Sequence, residues 1–599
     1  MSRKWLRRRP NILFIIVDQE RFPPVYEEPA IREWREDTLH AHAFLREHGL
    51  EFKRHYVGST ACCPSRATLF TGQYPSLHGV TQTSGAAKRS ADSDMFWLDR
   101  NTVPTMGNYF RQAGYRCFYK GKWHISDADI WVPGTHVPTP SYTLGTGVPD
   151  PDKEGLYLLA DRLDGYGFSS WIGPEPHGIA PHNSGSSAAI GVNGRDVVYS
   201  SEVIELLHAL DQEKGSAESY HPWLIVASFV NPHDIAIYGD ISASSPFFRF
   251  HVDKSVPTVA PPPTQYESLA TKPRCQASYQ EVYPQAFQPI SDQPLYRRLY
   301  YQLQKNADRE VMRVLEALVA SSFYPETLVV FTSDHGELLG AHGKLYQKWY
   351  CAYEEAIHIP LIIHNPLLFP HAASTELLTS HVDILPTLLG MAGADTDRLR
   401  DELTYTHSEV RPLVGRDLTP IILTHKTDTI PSEPIYFMTD DDVTKGQHQV
   451  NVQHQPYDSV IPPNRIETVI ACMNSVGHSA LWKYSRYFAG DVYNPTMTDY
   501  ELYNLTTDPL ETRNMVIPLY KNTHSERVRL KMELLLEEQR AQKRLTPFSH
   551  NYYLRKISRN NRKTPQIEGL FVFLFLFPIL VRSMLFPMLP SLLVHRHHR

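Results

Sequence analysis

Two adjacent cysteines begin a short run whose residue types and spacing could carry nucleophilic chemistry. The run CCPSR occupies positions 62–66, and Gly72 follows six residues later. Pro64 has a fixed φ and no N–H group, so we expect it at the first position of a helix, and Gly72 is a typical helix end. Cys62 would then lie beside free N–H groups and the positive end of the helix dipole, where anions bind. The run predicts a reactive Cys62, although a buried cysteine pair on an ordinary helix has the same spacing.

Two pairs of potential metal ligands each follow an apolar run. These pairs are Asp18 with Gln19 and Asp334 with His335. Carboxylate oxygens suit a hard divalent ion, the amide carbonyl can add a neutral oxygen, and a histidine ligand allows a softer metal. A lone acid after a strand is more often a helix cap than a ligand. The prediction of a metal site therefore depends on both pairs lying near Cys62.

Four basic side chains also follow predicted elements, namely Lys122, His124, His233 and Lys348. Each of them alone would be a solvated lysine or a structural histidine. Together they form the mixture that cleavage of a sulfate or phosphonate ester needs. Cations hold the equatorial oxygens, an acid protonates the leaving alcohol, and a base releases the product.

Four short apolar runs must position these side chains, and polar residues follow each run. The alternation of such runs with amphipathic stretches predicts an α/β fold with a large, mostly parallel sheet flanked by helices. Open α/β sheets bind ligands beyond the carboxyl ends of their strands, so we expect four strand ends and the Cys62 helix to form one site. The runs occupy residues 12–17, 116–119, 223–230 and 328–332.

The pattern changes near residue 425. Residues 480–484 and 500–505 are typical of antiparallel strands, and Thr523 with Glu526 predicts a capping box for a helix that reaches about residue 544. These features predict a small C-terminal α+β domain with an antiparallel sheet. The three predicted segments are a catalytic domain over 8–425, the C-terminal domain over 426–560, and an apolar and basic tail of unassigned role over 561–599.

The composition limits which binding partners and which cellular compartment we expect for this protein. The 599 residues carry a net charge of −6, so nothing favours nucleic-acid binding. The six cysteines lack the spacing of metal-binding fingers, and we expect them to be reduced thiols. The apolar run at 12–17 is too short for an export signal, so we expect a cytoplasmic protein.

In the tail, Arg582 and three prolines interrupt the apolar stretch. A spanning helix needs about 20 apolar residues, so a disordered or surface-docked tail, or a read-through extension, is favoured over a membrane anchor, with weak membrane association of the tail as a further alternative.

The run C-x-P-S-R-x-x-x-x-T-G at residues 62–72 resembles the active-site segment of the sulfatase family, in the alkaline phosphatase superfamily. Only Cys62 fits its first position, because Pro64 follows Cys63 directly. The resemblance extends along nearly the whole chain up to about residue 560, and it implies an alkaline phosphatase-like fold. The further matching segments are residues 10–18, 114–124, 231–233, 333–337, 348–361 and 500–509.

The resemblance implies hydrolysis of a small-molecule sulfate ester. A formylglycine-generating enzyme would oxidise Cys62 to formylglycine, whose hydrate supplies the nucleophilic oxygen. One divalent metal ion would bind the modified Cys62 and the ligands Asp18, Gln19, Asp334 and His335.

The resemblance also implies roles for the basic residues. Arg66 would support the metal side, and Lys122 and Lys348 would hold the sulfuryl oxygens. His233, with Lys348 as a second candidate, would protonate the departing alcohol. His124 would then take a proton from the remaining hydroxyl, so that sulfate leaves and the aldehyde is regenerated.

Gln19 and His335 depart from many family members, which have an Asp and an Asn at these positions. The pairs in this chain look more like those of choline sulfatases and phosphonate monoester hydrolases, which share the aldehyde chemistry. Ca²⁺ is the favoured metal and Mn²⁺ the second. The departure leaves a phosphonate monoester or phosphodiester hydrolase as the alternative enzyme.

Two further protein classes fit less well. A membrane-anchored transferase of phospho-headgroups would use Thr or Ser as nucleophile, where this chain has Cys62. A non-catalytic relative would not need the complete set of candidate residues. The run DDD at 440–442 could face a cationic group, although a solvated turn is the simpler interpretation. The oligomeric state is not predicted.

Overall fold

The structure of the chain is a computed structural model. The structure describes residues 9–176, 181–185, 194–215, 221–424, 433–475 and 478–548. The chain up to Thr546 forms one compact unit. The predicted domain boundary at 425/426 and the tail at 561–599 lie outside the described residues, so the predicted domain limits stay predictions.

An eight-stranded sheet forms the centre of this unit. Its strands follow the order β3-β4-β1-β5-β7-β2-β6, and β8 pairs with β2. Strands β3, β4, β1 and β5 are parallel neighbours, whereas β7 runs antiparallel to β5 and β2. The strands are β1 Asn11–Asp18, β2 Gly49–Tyr56, β3 Arg116–Gly121, β4 Trp223–Pro232, β5 Thr327–Ser333, β6 His358–Ile359, β7 Leu361–His364 and β8 Ala373–Ser380.

The four apolar runs of the sequence are the four parallel strands, as predicted. In β1, Ile12, Phe14 and Ile16 pack into one hydrophobic core, and the alternate residues Leu13 and Ile15 pack into another. Both faces of the strand are therefore buried, which explains why it is apolar at every position. Because the strands are parallel, their carboxyl ends meet at one edge of the sheet.

Helices cover both faces of this sheet. Apart from single turns at Pro75–His78, Asp240–Ser244, Ala341–Lys344 and Glu354–Ile357, the described α-helices are α1 Pro29–Thr38, α2 His40–Glu47, α3 Cys62–Thr71, α4 Met106–Gln112, α5 Pro151–Ala160, α6 Arg195–Lys214, α7 Arg274–Ala286, α8 Gln293–Ala320, α9 Ile384–Met391, α10 Thr396–Leu403, α11 Thr419–Thr424 and α12 Thr523–Lys543. Among the described residues, none of the helices is long and apolar enough to cross a membrane.

A second sheet of four antiparallel strands follows in the chain, and its antiparallel pairing confirms the prediction. Its order is β12-β11-β10-β9, with β9 Ile435–Thr439, β10 Arg465–Ser475, β11 His478–Gly490 and β12 Pro495–Asn504. Phe437 and Ile470 share a hydrophobic core with Tyr56 and Ile359 of the main sheet. The two sheets are therefore packed through a common core.

The predicted cap of α12 was wrong by one residue. Asn522 is the N-cap, and its side chain accepts a hydrogen bond from the backbone N–H of Ser525. Thr523 is instead the first helical residue. Asn and Thr both cap helices, and the backbone conformation of the preceding turn decides which of two neighbours does so.

His42 in α2 bridges two buried acids and provides a pH test of the fold. Its ring nitrogens lie 2.8 Å from Glu20 and 2.7 Å from Asp308. Burial lowers the pKa of His42, but the two carboxylates outweigh it and raise the pKa to about 9. Since this folded-state pKa is above the ordinary value, the stabilisation is complete below about pH 6.5 and is lost as the pH rises through about 9.

We expect His42→Gln to lower the free energy of unfolding on the order of 2–3 kcal/mol at pH 6, with a smaller loss at pH 9. Urea unfolding at both pH values measures the difference. His40→Gln, at the exposed first residue of the same helix, is the matched control and should change neither value by more than about 0.5 kcal/mol. An equal loss for His42→Gln at both pH values would contradict the charged bridge.

Candidate active site

The helix α3 presents Cys62 at its N-terminus, as the sequence predicted. All ten residues of the helix are buried, and it ends at Gly72, whose φ of 63° is left-handed. The predicted place of Pro64 was wrong, because the helix begins at Cys62 and Pro64 is its third residue. Pro is tolerated throughout the first turn, where N–H groups have no partner within the helix. Cys62 therefore lies in the first turn, where the helix dipole favours an anion.

Four potential ligand side chains surround one point beyond the strand ends. Asp18, Cys62, Asp334 and His335 are buried, and their ligand atoms all lie within 4.8 Å of one another. The Sγ atom of Cys62 lies 3.1 Å from Nε2 of His335 and 3.9 Å from Oδ1 of Asp18. The ends of β1 and β5 and the start of α3 thus bring together residues that are far apart in the sequence.

His335 is oriented as a metal ligand would be. Its Nδ1 lies 3.0 Å from the carbonyl oxygen of Gly336, which can only accept a hydrogen bond, so Nδ1 carries the proton. Burial lowers the pKa of His335, which favours the neutral ring. The lone pair of Nε2 therefore points toward Cys62 and the two carboxylates.

Two cations balance the two buried carboxylates. Arg66 donates from Nε to Asp334 at 2.8 Å, and Lys122 Nζ lies 2.6 Å from Asp18. Burial would raise the pKa of Asp18, but Lys122, His233 and Arg66 hold it well below its ordinary value. The Asp18 carboxylate is thus ionised, with Oδ2 held by Lys122 and Oδ1 facing Cys62. Burial and the same carboxylate raise the pKa of Cys62 to about 11, so the unmodified thiol keeps its proton near neutral pH.

A glycine at the end of β3 allows Lys122 to lie next to Asp18. Gly121 has φ 99°, and a Cβ atom there would lie 1.9 Å from the carbonyl oxygen of Ser228 in β4. Only glycine permits so close an approach of the two strands. The backbone N–H of Lys122 then donates to the same carbonyl at 3.0 Å.

Gln19 lies next to the group and connects it to Lys348. The Oε1 atom of Gln19 accepts a hydrogen bond of 2.8 Å from Lys348 Nζ. Its Nε2 atom donates to Glu337 and, at 2.8 Å, to Gln347. These acceptors fix the amide so that its carbonyl oxygen, which is the end that can bind a metal, faces Lys348. That Gln19 is a metal ligand stays a prediction.

The two predicted acid–base histidines differ in how they are held. The backbone N–H of His124 donates to the Glu175 carboxylate at 2.7 Å, and its Nε2 lies 3.0 Å from Oγ of Ser84. His233 follows β4 directly. Burial lowers the pKa of His233 well below its ordinary value, and Lys122 lowers it further, whereas Asp18 raises it. His233 therefore lies within the electrostatic influence of the same charges that surround Cys62.

The sequence analysis missed two residues that hold the site. Oγ of Ser228 accepts a hydrogen bond of 2.9 Å from Arg66. Glu175 accepts the backbone N–H groups of Trp123 and His124. A polar residue inside the apolar run at 223–230 could have indicated Ser228. Glu175 lies in a Pro- and Gly-rich segment, where no sequence periodicity could have indicated it.

A second group of potential ligands forms an ion-pair network. It contains His342, Glu355 and Glu511, and Lys483 Nζ lies 2.9 Å from Glu511. Burial lowers the pKa of His342, but Glu355 and Glu267 outweigh it and raise the pKa to about 9. Because protonated His342 and Lys483 already neutralise these acids, we assign no metal to this group.

Comparisons with known proteins agree with this geometry. The profile of the family described as Sulfatase matches residues 10–394. The uncharacterized sulfatase YidJ of Escherichia coli (strain K12) is 27% identical over 388 residues, which cover 64% of this chain and 68% of YidJ. The choline-sulfatase of Rhizobium meliloti (strain 1021) is 28% identical over 407 residues, which cover 65% of this chain and 69% of that protein.

A solved structure shows the same fold. The crystal structure of the phosphonate monoester hydrolase of Agrobacterium radiobacter superposes with a TM-score of 0.55 at 21% identity, covering 90% of this chain and 96% of that chain. The family profile covers more than half of the chain, and both relatives are named as sulfatases. The chain therefore belongs to the sulfatase family and is an enzyme of the sulfuric ester hydrolase class.

Proposed function

We propose that this enzyme cleaves a small-molecule sulfate monoester to an alcohol and sulfate, with a formylglycine made from Cys62 as its nucleophile and one divalent metal ion. The observation that carries the proposal is the position of Cys62. Its Sγ atom lies in one buried group with Asp18, Asp334 and His335, at the N-terminus of α3. A formylglycine-generating enzyme is the partner that this proposal requires.

The residues present fit a divalent ion. Two carboxylates and one imidazole lone pair converge there, and the backbone N–H of Gln19 donates to Asp334 at 3.0 Å. Oxygen ligands favour Ca²⁺, and the histidine makes Mn²⁺ the second candidate. When bound, the ion would supply positive charge to the nucleophile and to one substrate oxygen.

The cations of the site would bind the sulfuryl group. Lys122 and Lys348 are both buried, and they are held by Asp18 and Gln19, respectively. Their ammonium groups would stabilise the negative charge of the equatorial oxygens in the transition state. Arg66, whose guanidinium bonds Asp334, would keep the metal side in place.

His233 and His124 would move the protons. The Nδ1 atom of His233 is buried and makes no hydrogen bond to the residues that the structure describes, so we propose that it faces the substrate. The free enzyme holds this ring neutral, and an anionic substrate would raise its pKa and let it donate a proton to the leaving alcohol. His124, fixed by Glu175, would accept the proton whose loss releases sulfate.

A phosphonate monoester or phosphodiester hydrolase is the second candidate. Gln19 and His335 keep it as an alternative, because these donors resemble those of choline sulfatases and of phosphonate monoester hydrolases alike, more than those of the sulfatases with an Asp and an Asn at these places. The same residues would act in both reactions, and only the transferred group would differ.

One experiment tests both candidates. The protein is co-expressed with a formylglycine-generating enzyme, and mass spectrometry of the peptide around Cys62 shows whether the thiol has become an aldehyde. The values of kcat/KM are then compared on 4-nitrophenyl sulfate and a 4-nitrophenyl phosphonate monoester. A higher value on the sulfate supports the sulfatase. A higher value on the phosphonate rejects it in favour of the second candidate, and turnover without the aldehyde rejects the mechanism of both.

Loss of a metal ligand should be visible without an activity assay. We expect Asp334→Asn to lower metal affinity on the order of 10²-fold or more, because a carboxylate ligand is lost while Arg66 remains. Metal bound per protein after dialysis, measured by mass spectrometry of the elements, gives the result. Asp308→Asn removes a buried acid elsewhere and serves as the control. Full metal content in Asp334→Asn would contradict the ligand assignment.

A further inference from the structure

The run Asp440–Asp442 is not the solvated turn that the sequence suggested. Asp441 is only 2% exposed, although it directly follows the polar Asp440. It lies beyond residues 10–394, which the family profile matches, and close after the last residue of β9. A buried carboxylate needs several hydrogen bonds to offset its lost hydration. The partners of Asp441 therefore indicate what it does.

Three N–H groups from three separate segments converge on this carboxylate. Its Oδ2 atom accepts hydrogen bonds from the backbone N–H of Ala61 at 3.3 Å and from Nε1 of Trp349 at 3.0 Å. Its Oδ1 atom accepts the backbone N–H of Thr83 at 3.0 Å. Ala61 directly precedes Cys62, and Trp349 directly follows Lys348. One side chain thus joins the chain on both sides of the reaction centre.

The neighbouring residues of β9 hold the same stretch before Cys62. The backbone N–H of Met438 donates to the carbonyl oxygen of Gly58 at 3.1 Å. The hydroxyl of Thr439 donates to the carbonyl oxygen of Thr60. Together with the bond from Ala61 to Asp441, these contacts attach the second sheet to the start of α3 at three points. The position of Cys62 is therefore tied to the second sheet as well as to the main sheet.

Trp349 contacts both Asp441 and Lys348 and so connects them. The Nζ atom of Lys348 lies over the Trp349 ring, 4.6 Å from its centroid, and also donates to Gln19. A cation over an aromatic face is attracted to it, so the ring helps to set the position of the ammonium group. The bond from Nε1 of Trp349 to Asp441 fixes the orientation of that ring.

We infer that Asp441 is a positioning residue that holds the start of the Cys62 helix and the Lys348 segment in register with each other. The inference rests on the proposed function, in which these two residues supply the nucleophile and bind the sulfuryl group. The role requires a carboxylate. Three N–H groups meet two oxygens, and an amide would offer only one oxygen, so at least one N–H group would face an NH₂ group.

Asp441→Asn tests the inference, with Asp440→Asn as the matched control. A misplacement of about 1 Å can lower a rate on the order of 10²-fold, so we expect kcat per formylglycine of Asp441→Asn to fall roughly 10- to 100-fold. Asp440→Asn removes the neighbouring charge of the same turn, but the Asp440 carboxylate lies 3.7 Å from Arg544, which belongs to neither the Cys62 helix nor the Lys348 segment. It should keep kcat within about twofold. Asp442 is not a suitable control, because its carboxylate accepts a hydrogen bond from the hydroxyl of Tyr350 in the Lys348 segment.

The measurement separates positioning from stability. Each variant is co-expressed with the formylglycine-generating enzyme, and kcat on 4-nitrophenyl sulfate is divided by the formylglycine content of folded protein. The unfolding temperature is recorded beside it. A purely structural role would lower the unfolding temperature and leave this corrected kcat unchanged, which would overturn the inference.

A second variant keeps the test decisive if Asp441→Asn does not fold. Trp349→Phe removes one of the three donors and leaves the carboxylate in place. We expect it to lower the corrected kcat by a smaller factor, and an unchanged value would overturn the inference. If the wild type carries formylglycine and is active, a failure of this inference is distinguished from a failure of the proposed function. A wild type that is inactive although it carries formylglycine would reject both.

Discussion

Replacing Cys62 by alanine is expected to lower kcat/KM on an aryl sulfate on the order of 10⁴-fold or more, because no other group can then form the covalent intermediate. The side chain is buried at the start of α3 among Asp18, Asp334 and His335. Stability should change little by comparison, since the thiol contributes only weak contacts to His335 and Asp18 and a small apolar volume. Steady-state kinetics on purified protein, matured with the modifying enzyme, gives the measurement.

Cys63→Ala is the matched control for this substitution. Cys63 is the next residue of the same helix, is equally buried, and packs in the hydrophobic core of the main sheet. Its loss should cost stability of about 1 kcal/mol and leave kcat/KM within a few-fold. If Cys62→Ala kept its turnover, or if the two variants lost activity alike, the nucleophile would have to be sought elsewhere.

Replacing Arg66 by methionine should have the largest effect on stability. Arg66 is fully buried and donates to Asp334, to the carbonyl oxygen of Lys122 and to Ser228, and it lies 3.5 Å from Asp18. Methionine fills similar space but leaves a buried carboxylate without its cation. Breaking a buried ion pair in this way costs about 3–5 kcal/mol, a large part of the total stability of a domain. Urea unfolding of the metal-free protein measures the loss.

Arg111→Met is the comparison for an ordinary ion pair. Arg111 pairs with Asp164 at 2.6 Å, but both side chains are substantially exposed. Its loss should cost about 0–1 kcal/mol. Added Ca²⁺ or Mn²⁺ should also stabilise Arg66→Met more than the wild type, because the ion would replace part of the missing positive charge. A loss below about 1 kcal/mol in Arg66→Met, without any response to metal, would contradict this account.

The charge arrangement explains why these two substitutions differ. Cys62 is a neutral member of its group, and Arg66 and Lys122 neutralise the acids around it. Removing the thiol removes the source of the nucleophile, whereas removing the guanidinium leaves the buried carboxylates without a compensating charge. Measuring kcat and the free energy of unfolding for both variants therefore separates reactivity from the scaffold that holds it.

The sequence alone predicted the parallel strands, the antiparallel second sheet and most candidate side chains. Local patterns carry this information, because a strand buried on both faces is apolar throughout and ends where polar residues begin. Asp18 and Asp334 could be expected near each other, since the carboxyl ends of parallel strands meet at one edge. The helix that follows Cys62 and its end at Gly72 were predicted from local residues in the same way, although the helix begins at Cys62 and not at Pro64.

Only the tertiary structure decided which distant groups complete the site. Glu175, Ser228 and Asp441 have no periodic pattern around them, and they bond to His124, Arg66 and Ala61 across large separations in the chain. The run at 440–442 appeared to be a solvated turn because its residues are acidic, yet packing of the second sheet buries Asp441. Burial obliges a polar group to find partners, and which partners lie within reach depends on how the elements pack, which no local pattern contains.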